Sequence, residues 1–168
     1  MRRPLQYFVS YAHKDRPQAQ QLLELLDPRL AICSDYDFTG WIDDDIGLGT
    51  RWNDEIDTAL AACDFGLLLL SPAFFASGFI RREELPIFIE QVLQPTGQSL
   101  TRLHKPVIPV MLKDIPLNDS ADLAGLDQLQ MFRDTDGRAF NATRGHLRDR
   151  FADQLVAAML RRLRQVYP

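Results

Sequence analysis

The stretch Phe65-Gly66-Leu67-Leu68-Leu69-Leu70 carries no charge and no hydrogen-bonding side chain, and Ser71-Pro72 ends it abruptly. A strand wet on one face alternates apolar with polar residues, whereas this one offers water nothing. It predicts a strand buried on both faces, as in a parallel sheet. Val107 to Leu112 reads the same way, and Tyr7-Phe8-Val9 is a shorter run of the kind. Phe38 to Ile42 supplies a further strand, and Asp127 to Phe132 a weaker one at an edge.

Between these runs the apolar spacing turns helical. Ala19, Leu22, Leu23 and Leu26 share a face after Asp15, a candidate N-cap, with Pro17 tolerated in the first turn. Trp52, Ile56, Leu60 and Cys63 form a second stripe behind Gly49-Thr50, and Leu147, Phe151, Leu155, Met159 and Leu163 a long closing helix. Strand and helix in alternation predict an α/β domain with helices on both faces of the sheet. Residues 94–105 and 113–125 read as loops.

A chain of 168 residues has room for about one domain of ~100–200 residues, expected here over 1–168 with a core of roughly 5–165. Hydrophobic residues at 46% and charged ones at 25% exclude a disordered, collagen-like or coiled-coil chain. A net charge of −4 supplies no basic field for nucleic acid. Cys33 and Cys63 read as small buried hydrophobes of a reducing compartment rather than a disulfide scaffold. The most apolar segment, Phe65 to Ile80, is shorter than the ~20 residues of a membrane span. These features predict a cytoplasmic protein, or an excised domain of a larger one, with no membrane partner.

In an open α/β sheet, ligands sit at the carboxyl ends of the strands, where the winding reverses. With a flavodoxin-like strand order, that crevice is lined by Ser10 to Lys14 and by Ser71 to Gly78. The second loop leads into Phe79-Ile80-Arg81-Arg82-Glu83-Glu84-Leu85-Pro86. Pro86 fits a helix's first turn, which predicts Glu83 and Glu84 beside unpaired backbone amides that favour the carboxylate. The bland reading is a pair of dipole-capping acids on a wet helix. Phe79 precedes Glu83 by four positions and Glu84 by five, so either could share a pocket with it. Trp52 opens its stripe and serves either as core or as a ring for stacking. Asp43-Asp44-Asp45 reads as a solvated acidic turn, since adjacent loop residues converge poorly on one ion. His13, His104 and His146 lack ligand spacing, and no metal site, phosphate loop or nucleophile elbow is expected.

In series, these pieces resemble the Toll/interleukin receptor (TIR) domain in its bacterial branch. They are Tyr7-Phe8-Val9-Ser10-Tyr11-Ala12 with Asp15; Gly40-Trp41-Ile42-Asp43 with Ile46, Gly49 and Trp52; Glu55-Ile56 with Ala59-Leu60; Cys63-Asp64; Leu70-Ser71-Pro72; Glu84-Leu85; and Pro106-Val107-Ile108-Pro109-Val110. The resemblance implies a five-stranded parallel sheet in a flavodoxin-like three-layer sandwich. It also implies one of two functions. One is hydrolysis or cyclisation of NAD+, releasing nicotinamide, in bacterial immune or NAD+-depletion signalling. The other is a non-catalytic TIR–TIR interaction module, with the Asp43-to-Gly49 loop as docking surface.

For the enzyme, NAD+ is the substrate and no further cofactor is expected. Its partners would be other TIR domains and a fused or separate sensor. Matching Glu84-Leu85 makes Glu84 the catalytic acid, while counting from Ser71 or Phe79 lands on Glu83. Ser10, Tyr11, Ala12, Trp41, Asp43, Trp52, Ser71 and Phe79 are the substrate-binding candidates.

Overall fold

A computed structural model describes residues 1–42, 52–116 and 120–168, together with the backbone but not the side chain of Trp52. The expected roles of Asp43, of the 43–49 loop and of the Trp52 ring lie outside what is described. Four strands make the main sheet: β1 (Arg3–Ser10), β2 (Tyr36–Trp41), β3 (Phe65–Leu70) and β6 (Val107–Met111). They are parallel and ordered β2-β1-β3-β6, so the winding reverses between β1 and β3. Every residue of β3 and of β6 is buried, as the unbroken apolar runs predict.

Alternation along the strands sorts the core into two layers. Tyr7, Val9, Phe65, Leu67, Ile108 and Val110 pack with α1 (Arg16–Ala31) and α5 (His146–Val166). Phe8, Leu68, Leu70, Val107 and Met111 pack on the other face with α2 (Trp52–Ala62) and the helical segments after β3. Ile56, Leu60 and Cys63 of the second stripe are buried there, and Phe151, Leu155, Met159 and Leu163 of α5 are buried on the first face. Gly66 lets the Phe88 ring pack close against the sheet, since a Cβ would come within 2.8 Å of that ring.

The fifth strand is the principal correction. Around 129–132 only Phe132 pairs with the sheet, as an isolated parallel bridge to Val110. Its amide donates to the Pro109 carbonyl at 2.7 Å and its carbonyl accepts from the Met111 amide at 2.9 Å. To extend that ladder backwards, residue 109 would have to donate the next hydrogen bond, and a proline has no N–H. Pro109 thus blocks the ladder backwards, forwards the Asp134 amide donates to Arg138 O at 3.1 Å instead, and the described sheet has four strands.

A second departure lies in residues 94–105, where the loop reading misses a hairpin. β4 (Ile89–Leu93) pairs antiparallel with β5 (Ser99–Leu103). The turn between them closes with Gln94 N–H to Gln98 O at 2.7 Å and Gly97 N–H to Gln94 O at 2.9 Å. Hydrogen bonds from Thr101 to Gly125 O and Gln128 Oε1 pin the hairpin to the turn at Leu126–Gln128. No described helix is long and apolar enough to cross a membrane.

Candidate active site

The chain leaves β3 at Ser71, whose Oγ accepts from the Phe74 amide at 3.0 Å. That cap, with Pro72 in the first turn, starts α3 (Pro72–Ala76). Ser77 breaks the helix, and its Oγ accepts from the Ile80 amide at 3.2 Å to restart it. Ile80–Glu84 then forms a π-turn, in which the Leu85 amide reaches back five residues to Ile80 O. Pro86 explains the extra width. In an α-helix its ring would meet the carbonyl four residues back and its missing N–H would leave that acceptor bare. Beyond it, α4 (Leu85–Phe88) buries Leu85 and Phe88.

Glu83 and Glu84 therefore lie inside a continuous helical run. The expectation of a free helix N-terminus beside them is corrected, and so is the dipole argument drawn from it. The π-turn separates their environments. Glu84 points into the protein at 2% exposure, whereas Glu83 is exposed. Glu83 and the half-buried Phe79 share the wall of a cavity of about 280 Å³ with Asn53, Ile56 and Asp57 of α2. Asp57 is a second acid at this cavity that the helical stripe, read only for its apolar members, does not single out. From outside, Arg81 anchors the π-turn through Asp122 at 2.6 Å and the Phe75 carbonyl at 3.3 Å.

The other sequence candidates divide between the two faces. Ser10 is buried between Phe8 and Ala12 in register, on the α2 side, and its Oγ has no hydrogen-bond partner among the described residues. Ala12 is buried on that side too. Trp41 is half-buried and stacks on Phe8, with centroids 5.1 Å apart and planes at 15°. Tyr11 faces the opposite way, into the layer of α1 and α5, so strand alternation does not bring it to the cavity. Ser71 is fully buried at the strand exit.

Two residues take roles the sequence did not announce. Asp15, read as a helix cap, makes no capping hydrogen bond. Its buried carboxylate accepts instead from Ser71 Oγ and, at 2.7 Å, from Lys113 Nζ. Lys113 sits in what reads as featureless loop, and only the folding of β6 beside β3 brings it here.

A larger groove of about 800 Å³ runs between β6 and α5, where a fifth strand would pair more fully. Its floor includes Ile108, Leu129, Met131 and Ala158, and Arg161 and Arg162 stand at its rim. None of its described lining residues is a carboxylate, so it has nothing to stabilise a developing cation.

No curated protein matches the chain. Residues 8–147 match the family model of the TIR domain, a span that holds the end of β1, all of β2, β3 and β6, Ser10, Ser71, Phe79, both glutamates and Lys113. With that match over most of its length, the chain belongs to the TIR domain family.

Proposed function

We propose that this TIR domain cleaves the nicotinamide–ribose bond of NAD+, giving nicotinamide with ADP-ribose or a cyclic isomer. The observation that carries the reading is the helical run after β3. It lines one small cavity with an aromatic ring and a carboxylate, Phe79 and Glu83, and buries a second carboxylate, Glu84, one residue on. At 280 Å³ the cavity falls below the ~300–1,000 Å³ of a drug-sized ligand site and suits one end of a dinucleotide.

The chemistry asks for little more. Nicotinamide departs neutral from a cationic ring, so its leaving needs no general acid. Positive charge develops on the ribose as an oxocarbenium-like species, and a fixed carboxylate stabilises it. Water then attacks to give ADP-ribose, or an adenine nitrogen attacks to give a cyclic product. Phe79 offers a face for the pyridine ring, and the Ser10 hydroxyl, without a partner among the described residues, is a spare polar contact on the same side.

Glu84 is the preferred acid. Glu83 is the acid that shares the cavity with Phe79, but Glu84 is the one followed by the buried Leu85, and the turn before it spans five residues per hydrogen bond rather than four. This supports reading the extra residue as absorbed by the π-turn, with Glu84-Leu85 kept in register. Nicotinamide release from NAD+ by purified protein, with products resolved chromatographically, tests the proposal. Glu84→Gln is expected to lower the rate by about 10²–10³-fold with the fold intact. If Glu83→Gln is instead the variant that loses activity while Glu84→Gln keeps it, the acid is Glu83. Wild-type protein that releases no nicotinamide at any concentration overturns the reading.

The groove between β6 and α5 favours self-association as a companion property, and as the whole function should catalysis be missing. A sensor, fused or separate, would then control assembly and with it an immune or NAD+-depleting response in the cytoplasm of a bacterium.

A further inference from the structure

The exits of three strands meet on the carboxylate of Asp15, which is 1% exposed. Asp15 ends the short turn after β1, where its amide donates to Ala12 O at 2.8 Å. Oδ1 accepts from Lys113 Nζ, two residues beyond β6, and Oδ2 accepts from Ser71 Oγ at the exit of β3. Ser71 Oγ in turn accepts from the Phe74 amide. A carboxylate buried this deeply is costly without a counter-charge, and Lys113 supplies it. Charge-assisted hydrogen bonds away from water are short, directional and strong, so the group holds its geometry.

What it holds is the start of the helical run. Five residues of α3 cannot fix their own direction, because a single turn does not stabilise itself. Their direction is set at Ser71, and from there the chain passes through Ser77 to Phe79, Glu83 and Glu84.

We propose that Asp15 is a positioning residue for the candidate site, which orients the run carrying Phe79, Glu83 and Glu84 by clamping Ser71, with Lys113 as its counter-charge. The inference concerns the site of the proposed glycohydrolase and rests on that reading for its kinetic test alone.

Amide hydrogen exchange of segment 78–88 and nicotinamide-release kinetics are measured together for Asp15→Asn, Ser71→Ala and Lys113→Met. Misplacing a reacting group by about 1 Å costs ~10²-fold, so kcat is expected to fall by that order with KM within about twofold. Exchange in 78–88 should quicken about tenfold while α5 is unchanged, the mark of local rather than global opening. Ser71→Thr, which keeps the hydroxyl, should restore both. Unchanged exchange in 78–88, or equal quickening in α5, overturns the proposal. Should Asp15→Asn fail to fold, Lys113→Met at its partly exposed position carries the same test. A wild-type protein inactive on NAD+ removes the glycohydrolase reading, and the exchange measurement still decides the positioning role.

Discussion

At the scale of single residues, burial changes what each ionisable group does. Desolvation, and secondarily the charge of Asp27, pushes the Tyr7 phenol up to about 12. In the unfolded chain it titrates near its ordinary value of ~10, so the folded state holds its proton more tightly. The stability this contributes is whole below pH ~10 and is lost as pH rises toward about 12. Tyr7→Phe is therefore expected to flatten the fall of stability across that window, measured by urea unfolding at successive pH values. Asp134 works in the opposite direction. Burial raises its pKa, but hydrogen bonds from the Arg138 side chain and amide, and from the Asp136 amide, outweigh that and hold it below the ordinary carboxylate range. Its contribution is present at neutral pH and lost on acidification.

Among the elements, ends matter more than middles. Lys105 reaches from the segment before β6 to the carboxyl end of α2, where Nζ donates to Leu60 O at 2.8 Å, Ala61 O at 2.9 Å and Cys63 O at 2.7 Å. The last carbonyls of a helix have no amide four residues on to accept from, and the cation also meets the negative end of the dipole. Lys105→Met should cost about 1–3 kcal/mol in denaturant unfolding, since a hydrogen bond to a charged group contributes about 1.5–3 kcal/mol net and these are only partly buried. A loss below ~0.5 kcal/mol would place those carbonyls in water already. The π-turn at Ile80–Glu84 is the other decisive end, because it settles which glutamate turns inward.

For the whole molecule, the sheet puts two recesses far apart in character. The cavity beside α2 has carboxylates at its wall, whereas the groove along β6 has an apolar floor with arginines at its rim. If assembly uses that groove, Ala158→Arg should reduce concentration-dependent association, read by sedimentation, and leave the thermal midpoint within about 2 °C, as a surface change should. Nicotinamide release would then rise less steeply with protein concentration than in the wild type. Unchanged association would place self-contact on another face.

The apolar runs and helical stripes by themselves determined the α/β layout, the strands β1, β3 and β6, and the faces of α2 and α5. Those features follow from periodicity, which is a local property of the chain. Only the tertiary structure decided the rest. Whether 127–132 becomes a strand depends on what β6 offers as a neighbour, and Pro109 withholds the next hydrogen bond. The hairpin at Ile89–Leu93 and Ser99–Leu103 has a turn signal in Pro95-Thr96-Gly97, but its strands alternate too weakly to be read. Asp15 and Lys113 lie far apart in sequence, and their meeting at Ser71 is a product of strand order alone. The glutamate that faces inward is likewise a matter of turn width, set by a proline that follows both acids and by the core that Leu85 and Phe88 must enter.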